Sequence, residues 1–321
     1  MTRWRWISFG LCALLLLAGC SKGPQQRRIA VVPKAASHIF WQTVHAGVVS
    51  AGRDLNVEIL WNAPTAETDF SRQIQIVDSM LAQRVDGMAI AASDRTALNA
   101  SLDRAAQLGI PVVVFDSGVD STNYMTFVAT NNFEAGQMAA RKLAELVGGK
   151  GKVAMVQHMP GSNSTMDREA GFEDIIKKEF PGIQIVARQY GMANASKSMA
   201  AAENILTANP DLAGIFCSTE PSSLGASLAL KERKLNGKIR FVAFDSTDKM
   251  VEDVRAGVID AMVVQDPFKM GYEAVKAVAD KLKGQTPPKK MDLSGRVITK
   301  ADLDKPDVKA LLFPDIDKYL K

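Results

Sequence analysis

The sequence predicts two similar α/β domains, each built on a doubly wound parallel sheet, that are joined by a three-strand hinge. Between residues 28 and 299, short apolar runs alternate with longer stretches of helical periodicity. This alternation is typical of parallel sheets that helices cover on both faces. Short segments that repeat at a nearly constant offset indicate that the two halves share one topology.

The repeat consists of three pairs of segments that occur in the same order in both halves. Their offsets lie between 124 and 129 residues, and the pairs are Arg28–Val32 with Lys152–Val156, Asp86–Ile90 with Leu212–Phe216, and Val114–Ser117 with Ala243–Ser246. Chance could supply one such match, but three in one order favour a duplicated arrangement of βα units. The last pair ends in Phe-Asp-Ser in both halves.

The apolar runs define the strands, and the stretches between them define the helices. Apolar residues recur with helical spacing between the strands, as in Ile74, Val77 and Leu81. In chain order the predicted strands are Ile29–Val32, Val57–Trp61, Gly87–Ala91, Pro111–Phe115, Met125–Ala129, Lys152–Gln157, Ile183–Gln189, Leu212–Cys217, Ile239–Phe244, Ala261–Val264 and Arg296–Thr299.

Three segments are expected to cross between the domains. The first follows the strand that ends at Ala129, and the third precedes the last strand. The second lies at Asp266, because Pro267 keeps the preceding residue extended and favours the start of a helix. The predicted N-terminal domain comprises residues 28–130 and 266–294, and the C-terminal domain comprises residues 131–265 and 295–321, with the tail returning to it.

The amino terminus has the pattern of a bacterial lipoprotein signal. Arg3 and Arg5 form a positive region, and the apolar stretch from residue 7 to residue 17 is short for a membrane span. Leu-Ala-Gly-Cys at residues 17–20 resembles a lipobox, in which Cys20 becomes the first residue and carries acyl chains such as palmitate. We expect residues 1–19 to be the signal peptide and residues 20–27 a lipid-anchored tether. A plain signal peptide with an incidental cysteine is the alternative.

Composition and charge exclude other classes of protein. The formal net charge is +4 at pH 7, of which Arg3 and Arg5 in the signal contribute two. Interspersed acids and bases with so small an excess are not typical of a nucleic-acid binder. Of the three cysteines, Cys12 leaves with the signal, Cys20 is the expected lipid attachment site and Cys217 remains alone in an apolar strand. The sequence therefore predicts no disulfide framework.

An aromatic pair at the first strand-to-helix junction marks a candidate binding edge. Ligands of open parallel sheets bind outside the carboxyl ends of the strands, where Phe40 and Trp41 follow the first strand. An aromatic face suits the C–H face of a sugar. Phe40 also fits the start of a buried helical stripe that continues through Val44 and Val48, so a core role remains open for it.

Polar residues follow other strands. Asp116 and Asp245 end repeat-related strands, and a carboxylate can accept hydrogen bonds from two neighbouring hydroxyls. A helix N-cap is the alternative for Asp116. Arg168 offers paired donors to sugar oxygens, or could pair with Glu169 or Glu173 on its own helix. Ser164 to Asp167 fits a capping box, and the glycine-containing segment before it could instead cradle an anion.

The sequence contains no pattern of catalytic or metal-binding residues. His38, His45 and His158 lack metal-ligand spacing, and there is no nucleophile elbow and no Cys/His pairing. We therefore expect a binding protein without a cofactor or metal, and not an enzyme.

Together these features resemble the ribose and galactose type of periplasmic solute-binding protein, with its type I fold. The resemblance rests on the two domains, the lipoprotein signal, the aromatic pair, the Phe-Asp-Ser ends and the run Arg-Glu-Ala-Gly-Phe at residues 168–172, and it covers nearly all of residues 28–300. It implies a monomer, lipid-anchored in the cell envelope and facing the periplasm or the outside of the cytoplasmic membrane. Such a protein captures a sugar or sugar-like polyol by hinge closure and delivers it to ABC permease subunits. A sensory module that presents its ligand to a membrane receptor or kinase is the alternative.

The resemblance also implies the ligand-binding residues and shows where this chain departs from the family. Ser117 stands where the family often has a basic residue, Thr219 where Asn is usual, and Ala193 where ribose binders tend to have an aromatic. The second aromatic wall of the ligand site would then be absent or supplied by Tyr190. The expected ligand-binding residues are Ser37, His38, Phe40, Trp41, Asp116, Ser117, Arg168, Ala193, Thr219, Asp245 and Gln265.

Overall fold

A computed structural model describes residues 26–321, which form two six-stranded sheets with helices on both faces. The predicted signal peptide, Cys20 and the tether as far as residue 25 lie outside the described residues. Within residues 26–321, no helix is both long and apolar enough to cross a membrane.

All the predicted strands are present, with ends within one residue of the prediction, and one further strand occurs. The strands are β1 (Arg28–Val32), β2 (Glu58–Trp61), β3 (Gly87–Ile90), β4 (Val112–Phe115), β5 (Thr126–Thr130), β6 (Gly151–Gln157), β7 (Ile183–Tyr190), β8 (Leu212–Cys217), β9 (Arg240–Phe244), β10 (Ala261–Val264), β11 (Lys290–Leu293) and β12 (Arg296–Thr299). The helices are α1 (Ile39–Leu55), α2 (Phe70–Ala82), α3 (Asn99–Gln107), α4 (Asn132–Leu146), α5 (Asn163–Glu179), α6 (Ala195–Ala208), α7 (Glu220–Glu232), α8 (Asp248–Arg255), α9 (Pro267–Leu282), α10 (Pro306–Leu312) and α11 (Asp317–Leu320).

The first lobe is a parallel sheet in the order β2-β1-β3-β4-β5-β11 with helices on both faces. Side chains of a strand alternate between the faces. Accordingly, Ile29 and Val31 pack in the core beneath α1 and α9, whereas Ala30 and Val32 pack in the core beneath α2 and α3. This double burial explains why β1 is apolar at consecutive positions.

The second lobe repeats the strand order as β7-β6-β8-β9-β10-β12, except that β12 is antiparallel to β10. Helices α4 and α5 cover one face, and α6, α7 and α8 cover the other. The doubly wound parallel topology predicted for both halves is therefore confirmed, and the repeat in the sequence corresponds to strands in equivalent positions.

Glycine allows two helix pairs to approach closely, one pair in each lobe. A Cβ on Gly47 of α1 would lie 1.9 Å from the carbonyl oxygen of Phe268 in α9. A Cβ on Gly136 of α4 would lie 1.9 Å from the carbonyl oxygen of Arg168 in α5. Any larger residue at these positions would push the helices apart, so the second glycine allows α5, which carries Arg168, to lie close against α4.

The described chain crosses between the lobes three times: after β5, after β10 and between β11 and β12. The crossings contact one another, since the Thr130 hydroxyl donates to Gln265 Oε1 at 2.7 Å. The three crossings form the hinge beneath the cleft between the lobes.

The C-terminal tail contacts both lobes. Val308 and Leu312 of α10 are buried in the core of the second lobe. Beyond α10 the chain reaches the first lobe, where Arg53 of α1 donates to the carbonyl oxygens of Lys318 and Tyr319. Helix α10 therefore packs on the second lobe, and the residues of α11 contact the first.

Candidate functional site

The carboxyl ends of strands from both sheets meet at the cleft between the lobes, around a small cavity of about 30 Å³. This volume has room for about two water molecules. Of the expected ligand-binding residues, eight line this cavity: His38, Phe40, Trp41, Asp116, Arg168, Thr219, Asp245 and Gln265.

Asp116 and Asp245 occupy equivalent positions in the two lobes. Each follows a buried strand and has a positive φ, 59° and 66° respectively. Each backbone N–H donates to the next strand, to the carbonyl oxygens of Val128 and Val263, at 2.9 Å. Asp tolerates the left-handed region better than most residues. Asp116 begins no helix, so the N-cap alternative was wrong.

Lys34 supplies a cation beside Asp116. Its Nζ lies 2.8 Å from Asp116 Oδ2, and both side chains are almost fully buried. The two atoms form an ion pair but not a hydrogen bond, because their alignment is poor and Oδ2 has no hydrogen-bond partner. Nζ also lies 3.1 Å from Ser162 Oγ and 3.2 Å from Ser164 Oγ, both of the second lobe. Lys34, from the loop after β1, is therefore the basic group next to Asp116, where Ser117 has none.

Glu67 links the two lobes through a buried carboxylate. The Trp41 indole N–H donates to its Oε1 at 2.8 Å, and His38 Nδ1 lies 3.2 Å from the same oxygen. His158 Nε2, from the second lobe, lies 2.9 Å from Oε2. Burial alone would raise the pKa of Glu67, but His158, His38 and the nearby charge of Lys34 hold it well below its usual range.

The aromatic pair is arranged differently from the expected stacking face. Trp41 is 2% exposed and packs edge-on against Phe115 in the core of the first lobe. Phe40, for which a core role was open, is only half-buried and lies edge-on to Trp41. Trp41 still lines the cavity, but its N–H is bonded to Glu67, so Phe40 is the more accessible ring.

Arg168 is held by three groups of the second lobe. Its Nε donates to Asn132 Oδ1 at 2.8 Å, and NH1 donates to the Ser218 carbonyl oxygen at 2.9 Å. The guanidinium carbon lies 3.9 Å from the centre of the Phe244 ring, a cation–π contact. The alternative pairing with Glu169 or Glu173 is therefore wrong.

Glu169 instead forms hydrogen bonds with the segments that surround the cavity. It accepts hydrogen bonds from Gln157 Nε2, the His158 backbone N–H and the Ser218 hydroxyl. Burial raises the pKa of Glu169 to about 7 despite these three donors. The network fixes the segment that carries His158 and the carbonyl group that receives Arg168.

Asp245, Glu220 and Gln265 form the floor of the cavity beside the hinge. Gln265 Nε2 donates to Asp245 Oδ1 at 2.7 Å, and the Glu220 N–H donates to Oδ2 at 2.9 Å. Burial raises the pKa of Asp245. Glu220 Oε2 in turn accepts the backbone N–H of Phe40, from the other lobe, at 3.0 Å. Burial also raises the pKa of Glu220, to about 7.

Thr219 caps α7 and orients a histidine. Its hydroxyl takes part in a capping box with Ser222 and lies 3.2 Å from His158 Nδ1. The His158 ring is therefore held between Thr219 on its own lobe and Glu67 on the other.

Three of the expected residues do not reach the cavity. Ser37 is exposed, 3.5 Å from the Thr65 carbonyl oxygen. The Ser117 side chain is buried, and its hydroxyl donates to Ser164 Oγ at 3.0 Å and accepts the Ser164 backbone N–H. The Ala193 backbone N–H points to the His158 carbonyl oxygen. Tyr190, suggested as a second aromatic wall, is 46% exposed and is not among the lining residues.

Seven lining residues were not predicted: Lys34, Glu67, His158, Ser164, Thr165, Glu220 and Pro221. Lys34 had one signal in the sequence, since it follows the apolar strand β1 after a single proline, at the strand end where ligands of parallel sheets bind. The expected capping box over residues 164–167 is wrong, because the N-cap of α5 is Ser162, two residues before Ser164, and the Ser164 hydroxyl contacts Ser117 of the first lobe.

The site combines charged and polar donors with carboxylate acceptors and one accessible ring. In residues 26–321, no group of three or more His, Cys, Asp or Glu side chains is arranged to hold a metal ion. Such a mixture can bind several hydroxyl groups at once, each in a fixed direction.

Comparisons with known proteins agree with this architecture. Residues 29–286 match the family model described as a periplasmic binding protein domain. The chain is 27% identical over 286 residues to the ribose import binding protein of Bacillus subtilis, covering 85% of this chain and 91% of that protein. It is also similar to the crystal structure of a carbohydrate transporter solute-binding protein from Agrobacterium radiobacter in complex with D-arabinose, with 32% identity and a TM-score of 0.88, covering 91% of this chain and 100% of the other.

A second crystal structure, of an ABC transporter solute-binding protein from Agrobacterium vitis with bound D-fucose, is 32% identical with a TM-score of 0.87, covering 89% of this chain and 100% of the other. The family model spans well over half of the chain. The chain therefore belongs to the periplasmic binding protein family, whose members bind substrates for transport and are not enzymes.

Proposed function

We propose that this protein captures a sugar or sugar-like polyol between its lobes and delivers it to the permease of an ABC importer. The observation that carries the proposal is the cavity at the facing strand ends, where both lobes contribute donors and acceptors. Asp116 and Lys34 come from the first lobe, and Arg168 and Asp245 from the second. The proteins of similar sequence and structure named above, which bind or import D-arabinose, D-fucose and ribose, support a ligand of this class.

Binding would proceed by closure of the lobes about the three hinge crossings. At about 30 Å³ the cavity is smaller than a monosaccharide. A sugar must therefore replace some direct contacts between the lobes, such as that of His158 with Glu67 and that of Lys34 with Ser164. Its hydroxyl groups would take over these hydrogen bonds and favour the liganded closed form.

The proposal also covers the domain boundaries, the oligomeric state and the location of the protein. The two domains are residues 28–130 with 266–294, and residues 131–265 with 295–321, whose last helix also contacts the first lobe. The protein works as a monomer in the periplasm or on the outer side of the cytoplasmic membrane, tethered through acyl chains on Cys20. Labelling with radioactive palmitate tests the tether: incorporation should occur in the native chain and disappear in Cys20→Ala.

Titration calorimetry with D-ribose, D-arabinose, D-allose, D-fucose and xylitol tests the binding function. At least one of these should bind, and Arg168→Lys should weaken that binding at least tenfold, because lysine cannot reproduce the planar set of donors. Lys178→Met, which changes an exposed side chain on the same helix, serves as the control. Failure of all the sugars and polyols to bind would refute the proposal.

A further inference from the structure

A second and larger cavity, of about 480 Å³, adjoins the cleft on the side of the hinge. Phe40, Asp245 and Gln265 line both cavities, so the two share a wall made of the accessible ring, one carboxylate and the hinge amide. The volume lies within the range of pockets that hold small organic molecules.

The walls of this adjoining cavity differ in chemistry from those of the cleft. A polar side is formed by residues 245–249, which comprise the loop after β9 and the first two residues of α8. The other side is largely apolar and includes two side chains that are large and exposed, Ile39 at 41% and Phe313 at 45%. The apolar side chains of this wall include Ile39, Phe40, Val264, Leu311, Phe313 and Ile316.

The tail completes the enclosure. Leu312 anchors it in the core of the second lobe, and Tyr319 packs against Phe268 of the first lobe with ring centres 5.3 Å apart. Residues 313–317 lie between these two anchors and line the adjoining cavity. The cavity is therefore bounded by both lobes and by the tail, so an occupant would contact the same two bodies that close on the ligand.

We propose that the ligand is a glycoside: its polyhydroxylated ring occupies the cleft, and an apolar substituent on that ring occupies the adjoining cavity. The inference rests on the proposed function and specifies the substrate class of the same site. Hydroxyl groups can form hydrogen bonds with the charged groups of the cleft. The exposed side chains of Ile39 and Phe313 would be buried against an aromatic or alkyl group, and burial of apolar surface favours binding. The Phe40 ring at the shared wall can contact both parts of such a molecule.

The test is calorimetry of the purified chain with D-ribose, D-arabinose, D-allose and D-fucose and with the α- and β-phenyl glycosides of each. At least one phenyl glycoside should bind fivefold or more tightly than its parent sugar. Phe313→Ala should remove this gain and leave the affinity for the parent sugar within twofold. Phe133→Ala, a phenylalanine of similar exposure on α4, should keep the gain.

Ile39→Ser provides a second variant, from the other lobe, in case the tail rearranges in Phe313→Ala. The inference is overturned if the sugars bind and no phenyl glycoside binds more tightly than its parent. It is also overturned if both variants weaken the parent sugar and the glycoside equally. If neither sugars nor glycosides bind, the proposed function itself fails, an outcome distinct from the first two.

Discussion

Replacing Lys34 with methionine tests the electrostatic account of the cleft. Methionine has a similar length and no charge, so the substitution leaves the Asp116 carboxylate buried without a cation. Removing one member of a buried pair costs about 3–5 kcal/mol. At about 2–4 °C per kcal/mol for a domain of 150–250 residues, the melting temperature should fall by about 6–20 °C. Ser162 and Ser164 also lose a donor, so the two lobes should contact each other less firmly.

Thermal unfolding followed by circular dichroism measures the effect. Lys178→Met is the matched control, because its side chain is 68% exposed and its pair with Asp174 lies on a helix surface. Such a pair is worth about 0–1 kcal/mol, so the control should melt within a few degrees of the native chain. The double variant Lys34→Met/Asp116→Leu should recover most of the lost stability, since no unpaired charge remains. Equal melting temperatures for Lys34→Met and the control would refute the reasoning.

Three further predictions concern the second lobe. Burial raises the pKa of Glu220 to about 7, so the folded chain holds this proton more tightly than the unfolded chain. As the pH rises from 4.5 to 7, the free energy of unfolding of the native chain should therefore fall by up to about 3 kcal/mol relative to that of Glu220→Gln. A difference between the two chains in urea unfolding that does not change with pH would contradict this. Gly136→Ala should lower the free energy of unfolding by about 1–3 kcal/mol in the same assay, because its methyl group would meet the Arg168 carbonyl oxygen. Gly295→Ala, whose methyl group would have its nearest neighbour at 3.3 Å, should lower it less. Asn132→Ala leaves the Arg168 Nε–H without an acceptor and should weaken sugar binding about 5- to 100-fold by calorimetry, and unchanged affinity would show that this contact does not position the guanidinium.

The sequence predicted the sheets well because their strands are buried on both faces. Such strands are apolar at consecutive positions, and this local pattern does not depend on which partners they pair with. Strand β11 was not predicted, because residues 290–293 alternate charged and apolar side chains and do not form an apolar run. This strand lies at the edge of its sheet, where its pairing depends on backbone hydrogen bonds to β5. The placement of α11 on α1 depends on a few contacts distant in sequence, which no local pattern records.

The sequence could predict only those site residues that directly follow a recognisable strand. Asp116 and Asp245 stood out because each follows an apolar run that recurs in the other half. Glu67 and His158 did not, because neither is unusual in its own segment and their role comes from a contact 91 residues apart in sequence and between lobes. Trp41 was expected to be accessible, but a tryptophan whose N–H finds a buried carboxylate can be covered completely.

A crystal structure of the chain with the sugar that binds most tightly in calorimetry tests the central claim most directly. The account predicts that the sugar lies between the lobes with hydrogen bonds to Asp116 or Lys34 on one side and to Arg168 or Asp245 on the other. The direct contact of His158 with Glu67 should be lengthened or replaced by a contact with a hydroxyl group. A sugar that binds on the surface, or that contacts one lobe alone, would contradict the account.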